Sequence, residues 1–194
     1  MKVTREEAAR NRERIIDAAA RLFRERGFDG IGVAELMKEV GLTHGGFYGH
    51  FASKDDLEVQ ACTRALARSL TFWRKRAEKA RDAPLSAISD IYLSAGHRDD
   101  PGTGCLMAAL GPDVSRRGAG VRRAVTEYLN SAFDLLSELI PGRSKAARRR
   151  KAIDTYARLV GALVLARAVD DDALSREILD VVREGVPSGR LPLR

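Results

Sequence analysis

The chain has 194 residues, 44% of them hydrophobic and 31% charged, as in a soluble globular protein of one larger or two small domains. A net charge of +7 points to a polyanionic partner. The longest apolar run, 159–166, contains Gly161 and is flanked by arginines, which excludes a membrane partner of the spanning kind.

Cys62 and Cys105 lie in unrelated contexts, which argues against a disulfide framework or a zinc site. The opening MKVTREEAARNRER has no apolar signal core and predicts a cytoplasmic protein. Residues 1–56 carry ten Lys/Arg and ten Asp/Glu, so the whole excess of seven positive charges lies in 57–194. Total charge therefore does not locate a polyanion site. The local arrangement of Lys2, Arg5, Arg10, Arg12, Arg14 and Lys54 matters more.

In chain order, a first helix is predicted from a capping box at Thr4-Arg5-Glu6-Glu7. Ile15, Ile16, Ala19, Leu22 and Phe23 form its single apolar stripe, and Gly27 ends it. Val33, Leu36, Met37 and Val40 recur at i, i+3, i+4 and i+7 and predict a second helix over 33–40. Gly41 follows as a positive-φ stop, and Thr43 stands where it would N-cap a third helix over 44–50. Two helices about a glycine-containing turn make a helix-turn-helix, whose second helix enters the DNA major groove. That second helix, HGGFYGH, carries three glycines and would not persist alone. Phe47 and Phe51 must pin it to the core.

A long helix is expected over 54–82 with Ser53 as its N-cap, marked by Leu57, Ala61, Ala65, Arg68, Phe72 and Arg76. Pro84 should start another, 85–97. The stretch 98–104 reads as a loop, Gly111-Pro112 as an interruption after 105–110, and 118–120 as a further break. Helices are predicted over 121–140, 144–169 and 173–184. No strand pattern competes, so the chain is expected to be all-α. Its domains are expected at 1–53, a three-helix helix-turn-helix unit, and 54–194, a helical ligand-binding and dimerisation unit.

The stretches RERIIDAAARLFRERGFDG, VAELMKEVGLTHGGFYGHF and SKDDL together resemble the N-terminal domain of the tetracycline-repressor (TetR) family of bacterial transcriptional regulators. The resemblance covers about a quarter of the chain and departs from the family pattern at Gly32, where Ser or Thr is usual. It implies a homodimer that binds a palindromic double-stranded DNA operator through Thr43, His44, Gly45, Tyr48, His50 and Lys54. His44 is the first candidate for a base edge, and Thr43, Tyr48 and Lys54 for phosphate. The bland alternative is that Tyr48 and His50 pack or cap. The resemblance further implies an inducer pocket around Phe72, Trp73, Tyr92, Cys105, Met107 and Phe133. It also implies a four-helix dimer interface using Tyr156, Leu159, Val160, Leu163, Val164, Ile178 and Val182; a one-sided core stripe is the competing reading there.

Segment 104–111 is similar to one found in a family branch some of whose members sense electrophiles or oxidants through the cysteine. A thiol at a helix N-terminus is acidified, with His97 or Arg98 able to assist; a buried, inert Cys105 is the alternative. The basic groups at 116–117, 122–123 and 143–151 read as solvated helix ends before they read as a second nucleic-acid surface. The leading expectation is a one-component regulator, a repressor first, released by a small-molecule inducer or an electrophile. It would be no enzyme and need no cofactor or metal. A thiol-dependent helical enzyme using Cys105 and a structural dimer without operator binding are the alternatives, and no catalytic constellation supports the former.

Overall fold

The computed structural model describes residues 4–186, and all regular structure among them is helical. Two compact units are distinguished. One comprises residues up to 66 together with 101–125; the other comprises 67–100 and the chain from 126 onward. The first unit holds the whole expected helix-turn-helix region and, in addition, an excursion from the C-terminal half of the chain. No helix among the described residues is long and apolar enough to cross a membrane.

In the first unit, α1 (Arg5–Arg26) begins where the Thr4 hydroxyl accepts the Glu7 N–H and stops at Gly27, whose φ of 79° suits a residue without Cβ. Phe28 returns the chain to the core against Phe23, ring centroids 5.3 Å apart. Helix α2 (Val33–Glu39) starts from Gly32 with no side-chain cap, as a glycine there dictates. It ends through Gly41 at φ 70°, with the Leu42 N–H donating to Met37. Ile15, Leu22, Phe23, Leu36, Met37, Phe47 and Phe51 are all buried in one small core.

The next element differs from expectation in kind. Residues His44–Gly49 form a 3-10 helix, not an α-helix, and Thr43 occupies the N-cap position without a side-chain bond. Three glycines in six residues weaken the α-helix by about 1 kcal/mol each relative to alanine. A short run with i→i+3 bonding is what remains once Phe47 within it and Phe51 just beyond it anchor it to the core. Phe47 is fully buried and packs on Phe51 at 5.4 Å.

The long α3 (Lys54–Lys79) is capped by Ser53, whose hydroxyl accepts the Asp56 N–H. It begins in the first unit and ends in the second, three residues short of the expected stop. In the second unit α4 (Pro84–Tyr92) and α5 (Ala95–Asp99) replace the single helix expected over 85–97. Ser94 makes the break: its hydroxyl donates to the Ile91 carbonyl and accepts the His97 N–H, so it caps a new helix instead of continuing the old one.

Returning to the first unit, α6 (Leu106–Val114) runs through Pro112, where an interruption was expected. Pro112 lies in the last turn, so it removes one ladder bond without stopping the helix. After the turn at 115–118, α7 (Ala119–Leu139) leads back into the second unit. There α8 (Lys145–Ala168), capped by Ser144, packs along α9 (Asp172–Glu184), capped by Asp171.

Because the 3-10 helix depends on its anchors, Phe47→Ala should cost roughly 3–5 kcal/mol of stability in urea unfolding, against almost nothing for Tyr48→Ala on the exposed side. Equal effects of the two substitutions would show that the glycine-rich segment stands without its buried ring.

Candidate nucleic-acid interface

The 3-10 helix buries Phe47 and turns Thr43, His44, Gly45, Tyr48 and Gly49 outward, with His50 half-buried beside them. Tyr48 is 66% exposed, an unusual state for a large aromatic. It is nevertheless held: its ring meets the Phe47 ring edge-on at 5.2 Å and the His44 ring at 6.1 Å. His44, Tyr48 and the bare glycine backbone thus form one outward patch on a rigid base.

Several cations expected near this patch are occupied within the unit. Lys54 is half-buried; its ammonium donates to the Phe28 carbonyl at 2.6 Å and lies 5.9 Å from the Phe23 ring centre. Lys54 thereby ties the start of α3 to the α1–α2 connection. Arg14 donates to the Val40 carbonyl at 2.7 Å, which serves the C-terminus of α2. Arg12 bonds Gln60 and lies over the Phe51 ring at 5.3 Å. Helices α1 and α2 are further joined by Arg21–Glu39 at 2.6 Å and by Arg26–Glu35.

The tetR family of bacterial regulatory proteins has a profile that matches residues 15–61. Over 135 residues the chain is 31% identical to the transcriptional repressor Rv1474c of Mycobacterium tuberculosis, covering 66% of this chain and 69% of that one. The chain belongs to the TetR family. It is also 41% identical over 90 residues to the regulator AcrR of Shigella flexneri, 46% of this chain and 42% of that protein. The chain spans 30% and 42% of the length of two curated regulators it matches, AcrR being the second. Among solved structures, Escherichia coli NemR in its reduced form agrees in fold, with a TM-score of 0.76 at 24% identity over 91% of this chain and 95% of that one. The relatives named with it are transcriptional regulators, and Rv1474c is a transcriptional repressor.

The residues expected to line an inducer pocket divide between the units. Cys105 and Met107 belong to the first, and Phe72, Trp73, Tyr92 and Phe133 to the second. Phe72 is 48% exposed, because Trp73 takes the inward position on α3 one residue later. Trp73 meets Tyr92 and Tyr156, each at 5.9 Å, and Phe133 meets Tyr156 at 5.6 Å. Tyr156 is the centre of this cluster, which corrects its expected place in the dimer interface. Leu159 and Leu163 are likewise fully buried inside the protomer and leave that list. The outward apolar residues of the pair are instead Ile153, Val164 and Leu165 on α8 and Leu174 and Val181 on α9, with Val160, Ile178 and Val182 half-exposed.

Cys105 sits at the N-cap of α6, as the flanking glycines implied, and is 5% exposed. Cys62 is a core thiol pushed up to about 12 by burial, with Glu58 adding to the shift. Among the described residues no group of three or more His, Cys, Asp or Glu could hold a metal.

Arg117, read from sequence as part of a solvated helix end, is instead largely covered and paired. Carried by the α6–α7 turn, it pairs with Asp29 at 2.6 Å, stands 3.8 Å from the buried Glu58 carboxylate and covers the Phe28 ring at 4.8 Å. Burial nonetheless pushes the Glu58 carboxyl up, Arg117 offsetting only part. The signal was available: Glu58 shares a helical stripe with Ala61, Cys62 and Ala65, and a carboxylate there requires a cation.

In the second unit His97 is held by the Tyr92 carbonyl at 2.7 Å and packs edge-on to the Tyr92 ring at 4.7 Å. Burial lowers its pKa from 6.5, and Arg167 lowers it further. The unfolded chain therefore takes up the proton first, so this contribution is present above pH 6.5 and is lost as pH falls from there toward the depressed folded value. Wild type should lose stability more steeply than His97→Gln between about pH 7 and about pH 5 in urea titrations. Parallel profiles would refute the assignment.

Proposed function

We propose that this regulator works as a homodimeric repressor that holds a palindromic duplex operator with two copies of the Thr43–Tyr48 patch. The observation that carries this reading is the exposed Tyr48–His44 pair seated on the buried Phe47 ring. A solvent-facing aromatic braced in this way suits a surface that meets a rigid partner. Tyr48 and the Thr43 hydroxyl are assigned to phosphate, which sets register, and His44 to a base edge; Gly45 and His50 lie within the contact. Residues up to 53 act as the DNA-binding region and the remainder as the regulatory and dimerising region.

The exposed apolar face of α8 and α9 supplies the two-fold. Ile153, Val164, Leu165, Leu174 and Val181 would otherwise stand in water on one helix pair, and symmetry then pairs the two patches with two half-sites. Release follows when a small molecule or an electrophile favours the conformation that binds operator poorly. Trp73, Tyr92 and Phe133 with their neighbours are the aromatic wall for a small molecule, and Cys105 is the thiol for an electrophile.

Selection of duplexes from a randomised library by the purified protein tests the DNA reading. The selected sequences should be palindromic, and binding should weaken steeply with salt. His44→Ala should weaken binding by about 1–3 kcal/mol and relax preference at one position per half-site, whereas Tyr48→Ala should weaken all sequences alike. Absence of any enriched palindrome would sink the proposal. For the dimer, Val164→Asp with Val181→Asp should yield a folded monomer by light scattering that loses operator affinity. A dimer surviving both charges would place the interface elsewhere.

A further inference from the structure

The outward patch contains two glycines that the protein itself does not require. Gly30 is demanded by the fold, since a Cβ there would meet the Arg26 carbonyl oxygen at 1.9 Å, and Gly41 is demanded by its φ of 70°. Gly45 and Gly49 have neither reason. A Cβ built on either meets nothing within 4 Å, and positive φ occurs only at Gly27 and Gly41 among the described residues. Both nevertheless sit in a helical segment, where glycine is a poor former. Local propensity, packing and backbone geometry would all accept a side chain, yet none is there. A residue that breaks a local rule without an internal gain marks a functional constraint from outside the molecule.

Resting on the operator-binding reading above, we propose that Gly45 and Gly49 are specificity determinants fixed by steric exclusion. Duplex DNA comes into van der Waals contact with the main chain at these two positions, and a side chain of any size would hold it off. The flanking Tyr48 and His44 side chains, both exposed, then set the rim of the contact. With no side chain at 45 or 49, base reading by hydrogen bond falls to few groups. Groove shape at the centre of each half-site carries the remainder of the discrimination. The glycines also act negatively, because only a duplex whose groove admits the bare backbone can seat the aromatic rim.

The test uses the full-length protein and the duplex that wild type enriches from a randomised library. Gly45→Ala, Gly49→Ala and the corresponding serine variants are compared with wild type in thermal melts and in operator titrations. The alanine variants should melt at or above the wild-type temperature. Alanine and serine should each weaken operator binding by at least about tenfold, because they are similar in size though unlike in helix propensity. Gly49→Leu should weaken it further.

Operator affinity within about twofold of wild type overturns the inference, and so does a variant that fails to fold, since the fold is argued to accept a Cβ. A serine variant that binds like wild type while alanine does not would assign the glycines to flexibility and overturn it equally. If wild type enriches no duplex, the operator reading fails and takes this inference with it. If wild type binds and all variants bind as well, only the present inference fails.

Discussion

The first unit depends on the burial of Phe47 and Phe51 beneath a segment that has little helical tendency of its own. Six residues with three glycines form too short and too permissive a run to nucleate a helix in water. Two rings 5.4 Å apart, both inside the core, convert that run into a fixed surface. The segment's geometry is therefore set by tertiary packing and not by hydrogen bonding along its axis. With the segment held by these two rings, the residues beside them can be chosen for what lies outside. That separation of duties is why glycine can stand at 45 and 49.

The charge distribution follows a similar economy. With ten cations and ten anions, residues 1–56 carry no net charge. The structure shows where many of those charges go: Arg14 to the end of α2, Lys54 to the α1–α2 connection, and Arg21 and Arg26 to Glu39 and Glu35 across the helices. Exposed pairs of this kind contribute little each, typically below about 1 kcal/mol, but several of them restrict how α1 and α2 can slide.

Much of this was legible in the sequence, and the exceptions have specific causes. The stripe Ile15–Leu22–Phe23, the stops at Gly27 and Gly41, and the caps at Thr4 and Ser53 are local signals, and each appears where local chemistry put it. Three features were not local. Ser94 could have continued a helix or capped a new one, and only packing decides. On α8 the apolar residues number more than one stripe, so the inward set of Tyr156, Leu159 and Leu163 could not be separated from the outward Ile153 and Val164 without knowing where the aromatic cluster lies. The type of helix at 44–49 depended on tertiary anchors that periodicity does not weigh.

The excursion 101–125 gives the first unit a property that a lone three-helix domain would lack. Arg24 on α1 donates to the Gly102 carbonyl at 2.9 Å, and Arg117 at the other end of the excursion holds Asp29 and faces Glu58. Both ends of one inserted segment are thus pinned to the helices that carry the outward patch, each by an arginine. The Glu58 carboxylate has been taken out of water, so removing Arg117 would leave a desolvated charge and cost more than the pair contributes in place. Cys105 and Pro112 lie between these pins. Any displacement of α6 must therefore either break an arginine contact or carry α1 and the start of α3 with it. A packed core resolves such a choice as one of two discrete arrangements and not as a gradual bend.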